Sequence, residues 1–93
     1  MKEQDAFFNW LQMHIVAEAR PDDGAAKETL DFFQVILTED HGVTELDVEI
    51  TESSDLAIIR YVQRGEAKTV QFDLESAAKL LEDIRSNPVY NNQ

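Results

Sequence analysis

The chain has 93 residues, the size of one small domain, and its 19 Asp and Glu residues against 8 Lys and Arg residues give a net charge of −11. That charge argues against direct binding to DNA, RNA or an anionic membrane, because Lys and Arg are the residues that neutralise such surfaces. The chain contains no cysteine, which excludes disulfides and cysteine-based zinc sites.

Nothing in the sequence indicates export or membrane insertion. No apolar run approaches the ~20 residues of a transmembrane helix, and the stretch from Met1 to Asp5 lacks the basic start of a signal peptide. We therefore expect a soluble, cytoplasmic protein. Leu, Ile, Val and Phe make up 26 of the 93 residues, which is enough for a folded core.

Two helices are predicted first along the chain. Residues 5–19 form the first, which ends at Arg20-Pro21 because the residue before proline avoids the α conformation. Its apolar positions recur every four residues, at Phe7, Leu11, Ile15 and Ala19.

The second helix has signals at both ends. Asp22 or Asp23 can cap its start, and Gly42 can end it. Its apolar stripe consists of Ala26, Leu30, Phe33 and Leu37, with Phe32 and Ile36 beside it. Because the connection to the first helix is short, the two helices should form an antiparallel hairpin.

Beyond Gly42 the apolar period changes to two, which indicates strands. In the first strand Leu46, Val48 and Ile50 alternate with Glu45, Asp47 and Glu49. Residues 52–55 form a polar loop, residues 56–63 a second strand, Arg64-Gly65 a tight turn and residues 67–72 a third strand.

The loop lengths set the register of this meander. A four-residue loop pairs Ile50 with Ala57, Val48 with Ile59, and Leu46 with Tyr61. A two-residue loop pairs Ile59 with Val70, and Ala57 with Phe72. Both hairpins place these side chains on one core face, and a slip of one residue would break the agreement.

A third helix follows the sheet and completes the fold. Asp73 caps it, Asn87-Pro88 ends it, and one side carries Leu74, Ala77, Ala78, Leu81 and Ile84. The predicted fold class is α+β with the order ααβββα: an N-terminal helical hairpin, a three-stranded antiparallel meander and a C-terminal helix packed on the sheet. Residues 1–93 form one domain, and residues 1–4 and 87–93 are expected to fray.

The negative charge is concentrated in residues 39–55, called here the acidic segment. It has no Lys or Arg, and its seven acids are Glu39, Asp40, Glu45, Asp47, Glu49, Glu52 and Asp55. On the first strand, Glu45, Asp47 and Glu49 are predicted to point away from the core face at ~6.6 Å intervals. The predicted pairing places Arg60 opposite Asp47.

The acidic segment has two interpretations. The charges solvate an edge strand and discourage edge-to-edge pairing, or they form a docking face for a basic protein. In the second case the binding residues are Glu45, Asp47, Glu49, Glu52 and Asp55.

A narrower version of docking is a nucleic-acid mimic that inhibits a DNA- or RNA-binding protein. Duplex DNA carries a charge per ~1.7 Å of axis, so a strand with a carboxylate per ~6.6 Å is about four times sparser. A mimic would need further acids on the same surface, such as Asp22, Asp23, Glu28 and Asp31.

Three aromatic residues near the start of the chain form a second candidate site. Phe7, Phe8 and Trp10 cannot all face one direction on a helix, since adjacent residues diverge by about 100°. On the second strand, the apolar residues Leu56, Ile58 and Val62 are predicted to point to the sheet face opposite the core face. These apolar residues pack on both faces, or they form a homodimer or partner interface.

Catalysis has little support in the sequence. It contains no nucleophile elbow and no phosphate-binding glycine loop. His14 lies on the apolar side of the first helix, and His41 suits a helix C-terminus. A metal site would need His41 and Asp40 joined by a distant acid such as Asp55, a set without a recognised spacing. We expect no metal and no cofactor, and a metal- or small-molecule-dependent enzyme remains the least favoured alternative.

The sequence therefore predicts a small cytoplasmic interaction module without catalytic activity. It would bind a protein partner through the acidic strand, an apolar helix surface or both, and the acidic strand suits a partner of basic character. The nucleic-acid mimic and the enzyme are the alternatives.

Overall fold

The computed structural model describes residues 1–86, which form a layer of helices on one face of a three-stranded sheet. In chain order the elements are α1 (Glu3–Ala19), α2 (Gly24–His41), β1 (Val43–Thr51), a 3-10 turn (Glu52–Ser54), β2 (Leu56–Gln63), β3 (Glu66–Asp73) and α3 (Leu74–Ser86). The predicted α+β class and ααβββα order are thereby confirmed. The predicted helix end at Asn87-Pro88 and the fraying of residues 87–93 lie outside the described residues.

The predicted helix caps are confirmed. Asp23, rather than Asp22, caps α2, and its carboxylate accepts a hydrogen bond from the Ala26 backbone N–H at 3.1 Å. Gly42 ends α2 in the left-handed conformation, with φ of 66°. Asp73 caps α3 by accepting a hydrogen bond from the Ser76 backbone N–H at 3.0 Å.

The sheet has the order β1-β2-β3, with antiparallel neighbours, so β1 and β3 are its edges. The predicted pairs of Ile50 with Ala57, Val48 with Ile59, Ile59 with Val70, and Ala57 with Phe72 are all present. Arg64 and Gly65 form the tight turn between β2 and β3, with φ of 51° and 84°. Loop length therefore set the register correctly over most of the meander.

A β-bulge interrupts the predicted register of β1. Thr44 pairs with Val62 and Asp47 with Arg60, so Glu45 and Leu46 together lie opposite Tyr61. Glu45 adopts a left-handed φ of 53°. The extra residue lets Val43, which is fully buried, face the core as Leu46 does. The predicted even alternation therefore holds for Asp47 and Glu49, whereas Glu45 lies within the bulge.

Helix α1 occupies the centre of the helical layer. It packs against both α2 and α3, while α2 contacts β1 and α3 contacts β2 and β3. The Phe7 ring lies 4.6 Å from the Tyr61 ring of β2. Because α1 has neighbours on several sides, its buried residues do not follow the predicted stripe, and Ala19 is exposed. They are Ala6, Phe7, Trp10, Leu11 and Val16.

The two sides of the sheet differ in what covers them. Ala57, Ile59 and Tyr61 of β2 belong to the core beneath the helices. Ile58 and Val62, which alternate with them, are half-buried on the other face. We call this second face the outer face. Within residues 1–86, no helix is both long enough and apolar enough to cross a membrane.

Candidate functional site

Asp47 and Glu49 lie on the outer face at the β1 edge of the sheet. They pair across the strands with Arg60 and Ile58, whose side chains share that face. Both acids are exposed. Glu45 in the bulge is also exposed and lines a shallow depression with Arg60 and Val62. All three predicted β1 acids therefore face solvent on this side of the molecule.

Arg60 forms an ion pair with one of these acids. Its Nη2 lies 2.6 Å from Glu49 Oε2, although its cross-strand partner is Asp47. The two side chains of this ion pair are 52% and 49% exposed, so solvent screens the pair and its contribution to stability is small. The pair neutralises one acid of the strand.

The loop after β1 carries the other two predicted acids. Glu52 lies in the 3-10 turn, and Asp55 ends that turn with a left-handed φ of 53°. The Leu74 backbone N–H donates a hydrogen bond to the Asp55 backbone oxygen at 2.9 Å. This bond brings the β1–β2 loop to the start of α3.

Asp55 there joins Asp73 and Glu75 in a cluster of carboxylates. One carboxylate oxygen from each of the three residues lies within 4.8 Å of the other two. A hydrogen bond with the Asp73 carboxylate, some burial and the nearby negative charges raise the pKa of Asp55. Hydrogen bonds from the Ser76 backbone and hydroxyl, followed by the bond with Asp55, lower the pKa of Asp73. The pair therefore favours a proton on Asp55 shared with ionised Asp73.

The histidines lie elsewhere. Among the described residues, three acids or histidines lie close enough to share a metal ion only in the exposed cluster of Asp55, Asp73 and Glu75. This cluster does not include His41. His41 Nε2 lies 3.0 Å from the Met1 backbone oxygen. His14 stacks on Trp10 with ring centroids 5.2 Å apart. The set of His41, Asp40 and Asp55 considered from the sequence is not brought together.

The structure places the predicted aromatic site largely inside the protein. Phe7 is 1% exposed and Trp10 is 5% exposed, and both belong to the core cluster. Phe8 is half-buried, with its ring 5.5 Å from that of Phe72. Three aromatics within four positions are accommodated because α1 is surrounded by α2, α3 and the sheet. Core packing thus accounts for them, and an interface would need other residues.

Two exposed apolar residues on α2 were not identified as a surface from the sequence. Phe32 is 59% exposed and Val35 is 51% exposed. At 100° per residue, they lie about 160° and about 140° away from Leu30 on the helix, opposite the buried stripe. Their angular positions on a helical wheel, relative to the stripe, are the sequence signal that identifies them. The sequence analysis placed Phe32 beside the stripe because it is adjacent to Phe33 in the chain.

Comparison with known proteins finds no matching protein-family model, no matching curated protein and no matching solved structure.

Proposed function

We propose that the protein is a small interaction module, without catalytic activity, that binds a basic protein through its acidic segment. The observation that carries this proposal is the exposure of that segment. Each of its seven acidic side chains faces solvent, and the segment contains no Lys or Arg. Within residues 1–86, Glu49 is the one acid of the segment that forms an ion pair, and its partner is Arg60.

The acids of the segment are distributed over three successive elements. The acidic segment runs from the end of α2 through β1 into the following loop. Helix α2 packs on β1 from the core face of the sheet, whereas Asp47 and Glu49 lie on the outer face. We expect a basic partner to contact the acids of β1 and the following loop from the outer face and to reach those of α2 around the β1 edge. Complementary charge of this kind speeds association and selects partners more than it adds affinity.

The alternative of a nucleic-acid mimic is a special case of the same binding. Of the further acids that a mimic needs, Glu28 and Asp31 are exposed on α2, which packs on the core face of the sheet rather than on the outer face with Asp47 and Glu49. Asp23 is engaged in capping α2 and in an ion pair with Arg20 at 3.2 Å. Two apolar side chains, Phe32 and Val35, also interrupt the acids of α2. A mixed surface of this kind fits a protein partner of basic character better than a groove shaped for phosphates.

The test compares two variants with the same change in charge. The β1 triple variant carries Glu45→Gln, Asp47→Asn and Glu49→Gln. The matched control carries Glu66→Gln, Glu82→Gln and Asp83→Asn, all exposed. Each set contains one acid in an exposed ion pair, since Asp83 pairs with Lys79 at 3.6 Å. Tagged versions of both variants and of the wild type are used to capture proteins from a lysate of the source cells.

Capture is performed at about 50 mM and about 500 mM salt, which changes the screening length several-fold. We expect a protein with a basic surface that the wild type and the matched control retain at low salt and that the β1 triple variant loses. Equal capture by both variants would contradict the proposal and leave the acids as solvating, edge-protecting groups. If the captured protein also binds nucleic acid, competition with that nucleic acid identifies the mimic.

A further inference from the structure

The exposed apolar pair on α2, Phe32 and Val35, is flanked by acidic residues. Phe32 and Val35 are three residues apart, so they are neighbours on one face of the helix. Glu28 precedes Phe32 by four residues and Glu39 follows Val35 by four, so each acid lies one turn beyond the pair on the same stripe. All four residues are exposed.

The fold itself makes little use of this apolar pair. The Phe32 ring touches the edge of Phe33, with centroids 5.4 Å apart, but Phe32 remains 59% exposed. Val35 lines a shallow surface hollow with Asp31 and Glu39. An exposed aromatic with an aliphatic neighbour and a charged rim is the kind of anchor found at the centre of protein interfaces.

The charges around the pair determine what can cover it. Glu28, Asp31 and Glu39 are exposed and form no ion pair among the described residues. Lys27 is the nearest base along the helix, but it lies about 140° away from Phe32. A second copy of this chain would bring the same acids against each other, and like charges across an interface disfavour association.

We propose that this face of α2 docks an amphipathic helix of the basic partner. The inference rests on the proposed function and specifies which part of the partner is bound. Apolar side chains of the partner helix cover Phe32 and Val35, and its Lys or Arg residues reach Glu28 at one end and Glu39 at the other. The stripe between these acids spans ~16 Å, about three turns of a helix. Helix packing with ridges in grooves provides the contact.

The probe for this proposal is a pair of synthetic peptides of identical composition, rich in Leu and Lys. One has its Leu residues at helical spacing, so that they share a face. The other has the same residues scrambled, so that they do not. Binding of each peptide is measured by fluorescence anisotropy at low and high salt, and the affected amides are mapped by NMR.

Two protein variants separate the apolar contact from charge. Phe32→Ala with Val35→Ala removes the anchor and retains good helix formers. Lys79→Ala with Glu82→Ala is the matched control, because it also changes two exposed positions three residues apart on a helix and leaves the net charge unchanged. Both variants change exposed residues, and a thermal unfolding curve confirms that each is folded.

We expect the amphipathic peptide to bind the wild type and the matched control alike, and the Phe32/Val35 variant at least about tenfold more weakly, at both salt concentrations. The scrambled peptide should bind the wild type about tenfold more weakly than the amphipathic one. The NMR shifts should centre on α2.

Three outcomes overturn the inference, and they differ in what they say about the proposed function. If both peptides bind equally and only the β1 triple variant loses them, the partner helix does not use α2, while the acidic segment still binds a basic chain. If neither peptide binds, the proposed function loses its support as well. If the wild type self-associates and the Phe32/Val35 variant is a monomer by light scattering, a second copy covers the face.

Discussion

Arg60 stands opposite Asp47 in the sheet, yet its guanidinium contacts Glu49, with Nη2 2.6 Å from Oε2. The outer face at the β1 edge therefore holds one base among Glu45, Asp47 and Glu49. Arg60 forms an ion pair with Glu49, and the negative charges of Glu45 and Asp47 stay in excess. The charge of this edge can thus be changed in either direction by single substitutions.

Arg60→Gln should strengthen the binding of a basic partner. The substitution releases Glu49 and makes the β1 edge more negative, so affinity at low salt is expected to rise several-fold. Stability should change by less than about 1 kcal/mol, because both members of the ion pair are half-exposed. Titration with the partner captured by the wild type measures the effect. Lys79→Gln on α3, which likewise releases an acid, Asp83, from an exposed ion pair, makes the same change in charge and should leave the affinity nearly unchanged; weaker binding by Arg60→Gln would contradict the account.

Phe7 and Phe32 should respond differently to truncation. Phe7 is 1% exposed and packs on Tyr61, so Phe7→Ala should cost about 3–5 kcal/mol of unfolding free energy. Phe32 is 59% exposed, so Phe32→Ala should cost less than about 0.5 kcal/mol. Urea denaturation measures both. Similar costs at the two positions would mean that Phe32, like Phe7, supports the core.

Glu45→Gly should stabilise the protein. Glu45 has a left-handed φ of 53° in the bulge, a conformation that glycine adopts without steric cost. We expect a gain of about 1 kcal/mol in unfolding free energy. Asp47→Gly removes the same charge from a regular strand position and should cost about 1 kcal/mol instead. A loss of stability in Glu45→Gly would show that the bulge does not hold this residue in a strained conformation.

Asp55→Asn should make the protein more stable at neutral pH. The pKa of Asp55 is raised above its usual value of 3.8 by the hydrogen bond with Asp73 and by neighbouring charges. Between pH 3.8 and the raised pKa of Asp55, the folded state therefore binds more protons than the unfolded chain. The contribution of this group to stability rises as the pH falls through the raised pKa. Asparagine keeps a donor for Asp73 without the charge and tolerates the left-handed conformation of residue 55.

The advantage of Asp55→Asn over the wild type should shrink as the pH is lowered toward about 4, because Asp55 then takes up its proton. Thermal unfolding across this pH range provides the test. Glu52→Gln, a neighbouring exposed acid with the same change in charge, is the control and should show no such trend. An Asp55→Asn variant that is less stable than the wild type at pH 7 would mean that the carboxylates do not repel one another.

Local signals were sufficient to predict the element order and most of the sheet register. Asp23, Gly42 and Asp73 cap helices where the sequence places them, and the two hairpin loops fix their pairings. The bulge at Glu45 could not be predicted, because no glycine marks it and only the burial of Val43 requires the extra residue. A bulge places two residues opposite one, which here restores Val43 to the core face.

The candidate surface was harder to predict than the fold. Phe7, Phe8 and Trp10 look like surplus aromatics when one apolar stripe is assumed, but α1 is covered on several sides and absorbs them. Phe32 looks like core because it precedes Phe33, yet Phe32 is exposed whereas Phe33 is half-buried against the core. Which sides of a helix are covered depends on tertiary packing, and periodicity alone does not contain that information. The exposure of the acidic segment, in contrast, could be predicted from the sequence, because carboxylates without basic partners stay in solvent.

The most direct test of the central claim is calorimetric titration of the purified captured partner with the wild type, the β1 triple variant and the matched control at about 50 mM salt. The account predicts that the β1 triple variant binds at least about tenfold more weakly than the wild type, while the matched control binds like the wild type. Equal affinity of the wild type and the β1 triple variant would contradict it.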